Sequence, residues 1–293
     1  MVRNVFLYVF ACVLVCCMSS CDKNVHEGEY GVSAFLTLED EQDATQITVK
    51  DSYLWIYKNS GTLVQEFAFE NAEELASQRF KLDAGHYVFV SAINCRTMLT
   101  VKDKGNMETL QLSAPTSDCL PERAFYGTSQ LDVSGNGNQQ VQLTLRRVLS
   151  ELSVTITGVP SGLKLTAKAL ESAEGVYLAR KDVNGTFGLP ASETISEINI
   201  PEVVEKGNVI TTGVIRLMPT AQGKSNSKLN LFLETGGNSF ECMVEAPKMN
   251  VAGQYELVLP YKDLKPYLKV SATKINDWKE GWTIDGEILN PNN

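Results

Sequence analysis

Short segments in which apolar and polar residues alternate with a period of two recur along most of this 293-residue chain, and this pattern restricts its fold more than any other feature. Successive side chains of a strand point to opposite faces, so the alternation predicts strands that bury one face. We expect strands at residues 30–38, 53–57, 86–93, 139–145, 152–156, 163–169, 209–217, 228–234, 240–244 and 254–259. One short stretch, residues 71–78, has a helix-like composition instead.

Turn-forming sequences separate these segments. They include Asn59-Ser60-Gly61, Asp83-Ala84-Gly85, Gly135-Asn136-Gly137, Pro160-Ser161-Gly162, Asn184-Gly185 and Gly236-Gly237-Asn238. Hydrophobic residues make up 43% of the chain, which is enough to bury a substantial core. Many short strands joined by such turns favour a β-sandwich over an alternating βαβ fold, so we predict an all-β protein.

The length of the chain suits one large all-β domain or two ordinary ones in tandem. Flexible turns lie at residues 135–138 and 159–162, and we predict the domain boundary between them, near Arg147. An N-terminal β-sandwich would then occupy residues 30–147 and a C-terminal β-sandwich residues 148–293. Each half would hold about seven strands, the number that a small sandwich needs.

The first residues have the organisation of a bacterial lipoprotein signal peptide. Arg3 gives a short basic start, and the apolar run over residues 5–17 is too short to span a bilayer. Ser19 and Ser20 then precede Cys21 in a segment that resembles a lipobox, which predicts a signal peptide over residues 1–20, lipid on Cys21 and a polar tether over residues 21–29. The alternative is an ordinary signal peptide cut near Ser20, with Cys21 incidental.

Three cysteines follow the tether. Cys95 and Cys119 lie in one half of the chain and could form a disulfide in an exported protein, while the alternation around Cys242 predicts a buried apolar residue. The sequence leaves open whether Cys95 and Cys119 pair.

The sequence offers little for catalysis, and we expect a protein that is not an enzyme and that needs no cofactor or metal. Its histidines are His26 and His86, and neither belongs to a nucleophile motif. The acidic run Glu39-Asp40-Glu41 lacks the spacing of a calcium loop, and contiguous carboxylates seldom face each other across a sugar as in a glycosidase. A net charge of -9 argues against nucleic acid as a partner.

A set of loose motifs in a fixed order resembles the fimbrillin superfamily of Bacteroidetes, and within it the FimB/Mfa-type fimbrial anchor lipoproteins. The motifs are Ala124-Phe125-Tyr126-Gly127 as an aromatic turn, Leu131-Asp132-Val133, a strand ending in Leu145-Arg146-Arg147, a strand ending in Gly158-Val159-Pro160, and Ile275-Asn276-Asp277-Trp278 near the C-terminus. The resemblance covers nearly the whole chain, and it implies two tandem transthyretin-like β-sandwiches.

The resemblance also implies a mechanism, in which subunits join by exchanging strands and polymerising subunits lose an N-terminal strand to an arginine-directed protease. This sequence has no arginine between Asp22 and Gln78, and cleavage at Arg79 would remove several strands rather than one. We therefore expect the lipid to be retained. The chain would be an anchor or accessory subunit of a fimbria at the bacterial outer membrane, and its partners would be fimbrial shaft or accessory subunits.

A second hypothesis from another functional class is a surface lipoprotein that binds glycans or captures nutrients. Aromatic side chains can stack on sugar rings, and Trp55, Trp278 and Trp282 are the candidates. A secreted hydrolase ranks below both, because no catalytic set converges.

Overall fold

The structure is a computed structural model. It describes residues 31–39, 48–115, 117–135, 137–195, 197–204 and 206–264, together with the backbone of residues 269–271. The predictions for the signal peptide, the tether, Cys21, His26, Trp278 and Trp282 lie outside the described residues.

Nearly all of the regular secondary structure in the described chain is β-strand, so the all-β prediction is confirmed. The strands are β1 (Gly31–Leu38), β2 (Ser52–Lys58), β3 (Leu63–Phe69), β4 (Gly85–Ile93), β5 (Thr100–Lys102), β6 (Gln111–Ser113), β7 (Phe125–Val133), β8 (Asn138–Arg147), β9 (Ser150–Thr157), β10 (Lys164–Leu170), β11 (Gly175–Lys181), β12 (Phe187–Pro190), β13 (Ile198–Val204), β14 (Val209–Thr211), β15 (Ile215–Leu217), β16 (Asn226–Thr235), β17 (Asn238–Pro247), β18 (Gln254–Pro260) and β19 (Lys269–Ser271). A short helix, α1, covers Ala72–Ser77 inside the stretch predicted to be helical.

The first sheet has six strands in the order β1-β8-β7-β4-β2-β3. Strand β2, which lies next to the edge strand β3, is buried on both faces: Trp55 and Tyr57 enter one hydrophobic cluster, while Leu54 and Ile56 enter another. A four-stranded sheet in the order β12-β11-β6-β5 contributes Leu112 to the cluster that contains Trp55. The alternation of side chains along β2 therefore fills two separate cores.

The remaining strands form two further sheets around a third hydrophobic cluster. One sheet has the strand order β13-β10-β16-β17-β19. In the second sheet, β14 and β15 both pair with one edge of β9, and β18 pairs in parallel with its opposite edge. Hydrogen bonds between β6 and β11 link the two halves of the chain, since Val176 pairs with Leu112. The tandem arrangement and the domain boundary near Arg147 stay predictions.

One local prediction was wrong. The single strand predicted over residues 209–217 is split into β14 and β15, because Gly213 adopts a φ of 65° and Thr212 bonds back to the backbone of Val154. The Phe125-Tyr126-Gly127 motif lies at the start of strand β7, where both aromatic side chains are buried in the core. The absence of a side chain at Gly127 lets β7 and β8 approach closely, since an added Cβ would lie 3.0 Å from the carbonyl oxygen of Thr144.

Helix α1 depends on its N-cap, which gives a first testable prediction. The side-chain oxygen of Asn71 accepts a hydrogen bond of 2.8 Å from the backbone N–H of Glu74, and the helix buries Leu75 in the core. Asn71→Ala should lower the free energy of unfolding by about 1 kcal/mol, whereas Asn71→Asp should preserve it. Chemical denaturation measures both, and equal stability of the two variants would contradict the role assigned to this cap.

Candidate functional site

The candidate site is the edge of the first sheet where β1 lies, because β1 is the first described strand after the predicted tether. β1 pairs in parallel with β8 over eight residues, from Gly31 opposite Asn138 to Leu38 opposite Leu145. On its other side a bridge joins Val32 to Phe80 through two hydrogen bonds of 2.9 Å. The strand is therefore held to the sheet chiefly by β8, with which it shares no hairpin.

The side chains of β1 alternate between the core and the outer face, as predicted. Val32 and Ala34 are buried, and Leu36 and Leu38 pack against the same cluster. Phe35 points away from this cluster and is exposed over 38% of its surface. β1 thus combines main-chain pairing with side chains that fill a core, which are the two contacts that define binding by strand addition.

Polar contacts secure the C-terminal end of β1. Gln142 donates a hydrogen bond of 3.0 Å to the hydroxyl of Thr37. The backbone N–H of Glu39 donates to the carbonyl of Leu145 at 3.0 Å, and Arg146 Nε donates to the Glu39 carboxylate at 2.5 Å. Asp40 and Glu41, which complete the acidic run, lie outside the described residues.

Arg79 lies next to the bridge that holds the other side of β1. Its Nη1 donates to the carbonyl oxygens of Ala76 and Gln78 at 2.9 and 3.0 Å, which fixes the side chain against the end of α1. Cleavage after Arg79 would detach β2, which lies between β4 and β3 and carries the buried Trp55 and Tyr57. A cut at this arginine is therefore incompatible with an intact first sheet.

A second feature is a buried cluster of three arginines around Glu151 of β9, whose side chain is only 2% exposed. Arg123 approaches the carboxylate with two nitrogens, at 2.8 and 3.1 Å, which is a bidentate contact. Arg216 donates at 3.0 Å and Arg147 at 3.2 Å, and the Gln254 amide adds a hydrogen bond of 2.9 Å. We call these five residues the Glu151 cluster.

The surroundings of Glu151 keep it ionised. Burial of the carboxyl group works against ionisation, but the hydrogen bonds from Arg123 and Gln254 and the charges of Arg123 and Arg216 outweigh it. The pKa of Glu151 is therefore lowered to about 2. The cluster joins the loop before β7 to β8, β9, β15 and β18, so it ties strands of both halves to one carboxylate.

The structure separates Cys95 from Cys119, whose pairing the sequence left open. Both are free thiols: Cys95 belongs to the cluster around Trp55, whereas Cys119 packs against the cluster of the second half. Burial raises the pKa of Cys95 to about 12, that of Cys119 to about 11 and that of Cys242 to about 12. All three are therefore neutral at physiological pH and are poor nucleophiles.

Three further candidates from the sequence, Trp55, His86 and Asn184-Gly185, contact other residues of the chain. Trp55 is fully buried, and its indole N–H donates to Glu66 at 3.2 Å, so it cannot stack on a sugar and the hypothesis of glycan binding loses this residue. His86 is an exposed residue of β4 that contacts Asp132. Asn184-Gly185 forms the predicted turn, closed by hydrogen bonds to the Asp182 carboxylate.

The described residues contain neither a candidate metal cluster nor a helix suited to crossing a membrane. No group of three or more His, Cys, Asp or Glu side chains in this part of the chain could hold a metal ion. Over the same residues, no helix has both the length and the apolar character needed to cross a membrane.

Solved structures share this fold at low sequence identity. A proposed adhesin of Bacteroides ovatus aligns with a TM-score of 0.56 and 12% identity, covering 83% of this chain and 92% of that one. A proposed polysaccharide-binding protein of Bacteroides thetaiotaomicron gives 0.53 and 11%, covering 90% and 99%. The fimbrial anchor protein Mfa2 of Porphyromonas gingivalis gives 0.51 and 10%, covering 84% and 98%. At these identities the likeness shows the fold alone.

Fold and site together define an all-β sandwich protein whose first described strand is built into its sheet by parallel pairing. No curated protein matches the sequence. The family model of the fimbrillin-A associated anchor proteins Mfa1 and Mfa2 matches residues 19–282. The chain therefore belongs to this family, which is fimbria-associated and adhesin-like rather than a class of enzymes.

Proposed function

We propose that this chain is a lipid-anchored structural subunit of a fimbria, attached to the outer membrane through Cys21 and joined to other subunits by strand exchange. The observation that carries the proposal is β1, which lies shortly after the predicted lipidation site and is built into the first sheet by eight residues of parallel pairing. A chain tethered through β1 transmits force from the lipid directly into the sheet. An anchor at the base of a filament needs such a connection.

The position of arginines supports retention of β1. The first arginine after Cys21 is Arg79, and a cut there would remove β2 and its buried aromatic residues together with β1. An arginine-directed protease therefore has no site at which it could remove β1 alone. With β1 in place beside β8, a strand from a neighbour cannot take this position in the sheet, so other subunits would join elsewhere.

Such a subunit would end the filament on the membrane side. The main chain of an exchanged strand would supply hydrogen bonds, and its alternate side chains would supply the fit to one partner. The partners are fimbrial shaft or accessory subunits, in agreement with the family to which the chain belongs.

Mass and N-terminal analysis of the protein from membranes of its native host tests the proposal. We expect an acylated Cys21 as the first residue, co-purifying fimbrial subunits, and release of a Cys21→Ser variant from the membrane fraction, because two or more acyl chains are needed for durable anchoring. A mature N-terminus between residues 38 and 50 would instead identify a polymerising or tip subunit.

Acylated Cys21 without any filament or fimbrial partner would favour the second hypothesis, a surface lipoprotein that binds glycans. With Trp55 buried, that hypothesis depends on Trp278 and Trp282, which lie outside the described residues. A retardation gel with a panel of polysaccharides separates the two functions, since an anchor subunit should show no shift.

A further inference from the structure

A cleft of about 380 Å³ shares Arg123 and Arg216 with the Glu151 cluster. Its lining includes Lys50, Asn94, Glu122, Arg123 and Arg216. Arg123 and Arg216 thus belong both to the buried cluster and to the wall of the cleft, and their side chains are 23% and 22% exposed. Both arginine side chains are therefore partly accessible, while Glu151 holds their guanidinium groups in place.

Among the described residues, the lining of the cleft carries more positive than negative side chains. Lys50, Arg123 and Arg216 are cationic, and Glu122 is anionic. Beneath the lining, Glu151 and Arg147 add one charge of each sign. In a chain with a net charge of -9, this local excess of cations is opposite in sign to the molecule as a whole.

The donors in the cleft are held in place before any ligand arrives. Arg123 is fixed by its bidentate contact with Glu151, and Arg216 by Glu151 and by the carbonyl oxygen of Pro121, 3.1 Å from its Nη1. At the rim, the Lys50 ammonium lies 3.0 Å from the Glu122 carboxylate, and both side chains are about half exposed. Donors already in place lose little freedom when they bind an anion.

We propose that this cleft binds a carboxylate-bearing ligand of about the size of one sugar ring, with the ligand carboxylate taking the place of the Glu122 carboxylate beside Lys50. Glu122 already forms an ion pair with Lys50, and the carboxylate of the ligand would form the same ion pair in its place. Guanidinium and ammonium groups bind carboxylates through charge-assisted hydrogen bonds, and the two fixed arginines would set the orientation of the ligand. This site is independent of the role of the chain in a fimbria.

Titration calorimetry of the mature chain with D-glucuronate, N-acetyl-L-glutamate and uncharged D-glucose tests the site. We expect at least one of the two acids to bind with a Kd of about 1 mM or tighter and D-glucose not to bind. Binding of glucuronate alone would identify an acidic sugar as the ligand, and binding of N-acetylglutamate alone would identify an acidic side chain. Heat signals that are equal for the acids and for glucose, or absent for all three, would overturn the proposal.

Two rim variants with opposite expected effects distinguish a binding site from an internal ion network. Lys50→Gln should weaken acid binding by about tenfold because it removes one charge-assisted hydrogen bond, and Glu122→Gln should strengthen it several-fold because it removes a competing carboxylate. The matched control is Lys168→Gln, which alters the exposed pair of Lys168 with Glu197 on another sheet and should leave binding unchanged. If both rim variants bind as the control does, the cleft is not the site.

Discussion

Glu151→Ala should lower the free energy of unfolding by about 3–5 kcal/mol, which is a large part of the stability of an ordinary domain. The substitution leaves the guanidinium groups of Arg123, Arg147 and Arg216 close together without the carboxylate that they surround. Burial of charge without its counter-charge is among the costliest changes in a protein interior. Because the cluster joins strands of both halves, the loss should be seen in the unfolding of both.

Chemical denaturation followed by circular dichroism measures this effect, and the chain supplies a matched control. Glu197→Gln also removes one carboxylate from an ion pair, but Glu197 is about half exposed and faces only Lys168. Exposed pairs contribute about 0–1 kcal/mol, so this variant should unfold nearly as the native protein does. Equal stability of Glu151→Ala and Glu197→Gln would show that the arginines find other partners or water.

The same residue makes stability depend on pH in a defined window. The folded-state pKa of Glu151 is about 2, below the ordinary value of 4.5, so the unfolded chain takes up the proton first as the pH falls. The contribution of Glu151 is therefore complete above about pH 4.5 and is lost between that pH and about pH 2. The difference in stability between the native protein and Glu151→Gln should shrink over this window, and a difference that stays constant would contradict the lowered pKa.

The alternation of side chains predicted many, but not all, of the strands that bury one face between local turns. Strands β1, β4, β8, β16 and β17 overlap the expected segments, and the turn-forming sequences lie between them. Strand β11 was not predicted: its residues Gly175, Val176, Leu178 and Ala179 are all buried, so the period of two is lost. Its partner β6 has only three residues and lies in the other half of the chain, where no local pattern indicates the pairing.

The candidate site was also predictable only in part, because its contacts join residues that are far apart in the sequence. The inward face of β1 follows from its sequence, but its parallel pairing with β8 joins residues about a hundred positions apart without a connecting turn. The Glu151 cluster was missed entirely, because its members come from five segments that only the topology brings together. A charged residue inside an apolar alternating run, as Glu151 is between Ser150 and Leu152, is the sequence feature that could have indicated it.

Deletion of residues 31–38 should destabilise the first sheet by an amount comparable with the whole stability of the chain. The strand contributes its pairing with β8 and the burial of Val32, Ala34 and two leucines, and each large apolar side chain that is fully buried contributes about 1.5–3 kcal/mol. Its removal also uncovers Val141, Leu143 and Leu145 of β8. We expect a marked fall in Tm and a groove that accepts an extended apolar peptide.

A synthetic peptide with the sequence of β1 should restore the lost stability when the deleted chain is refolded with it, because the same hydrogen bonds and core contacts can form between two molecules. Two variants of the peptide control for register. Ala34→Asp places a charge where the side chain is buried and should abolish rescue, whereas Phe35→Asp changes the exposed face and should retain it. If the deleted chain melts at the native temperature, or if both variant peptides rescue it equally, β1 is not a strand that fills a groove, and the physical basis for retaining it in an anchor subunit is lost.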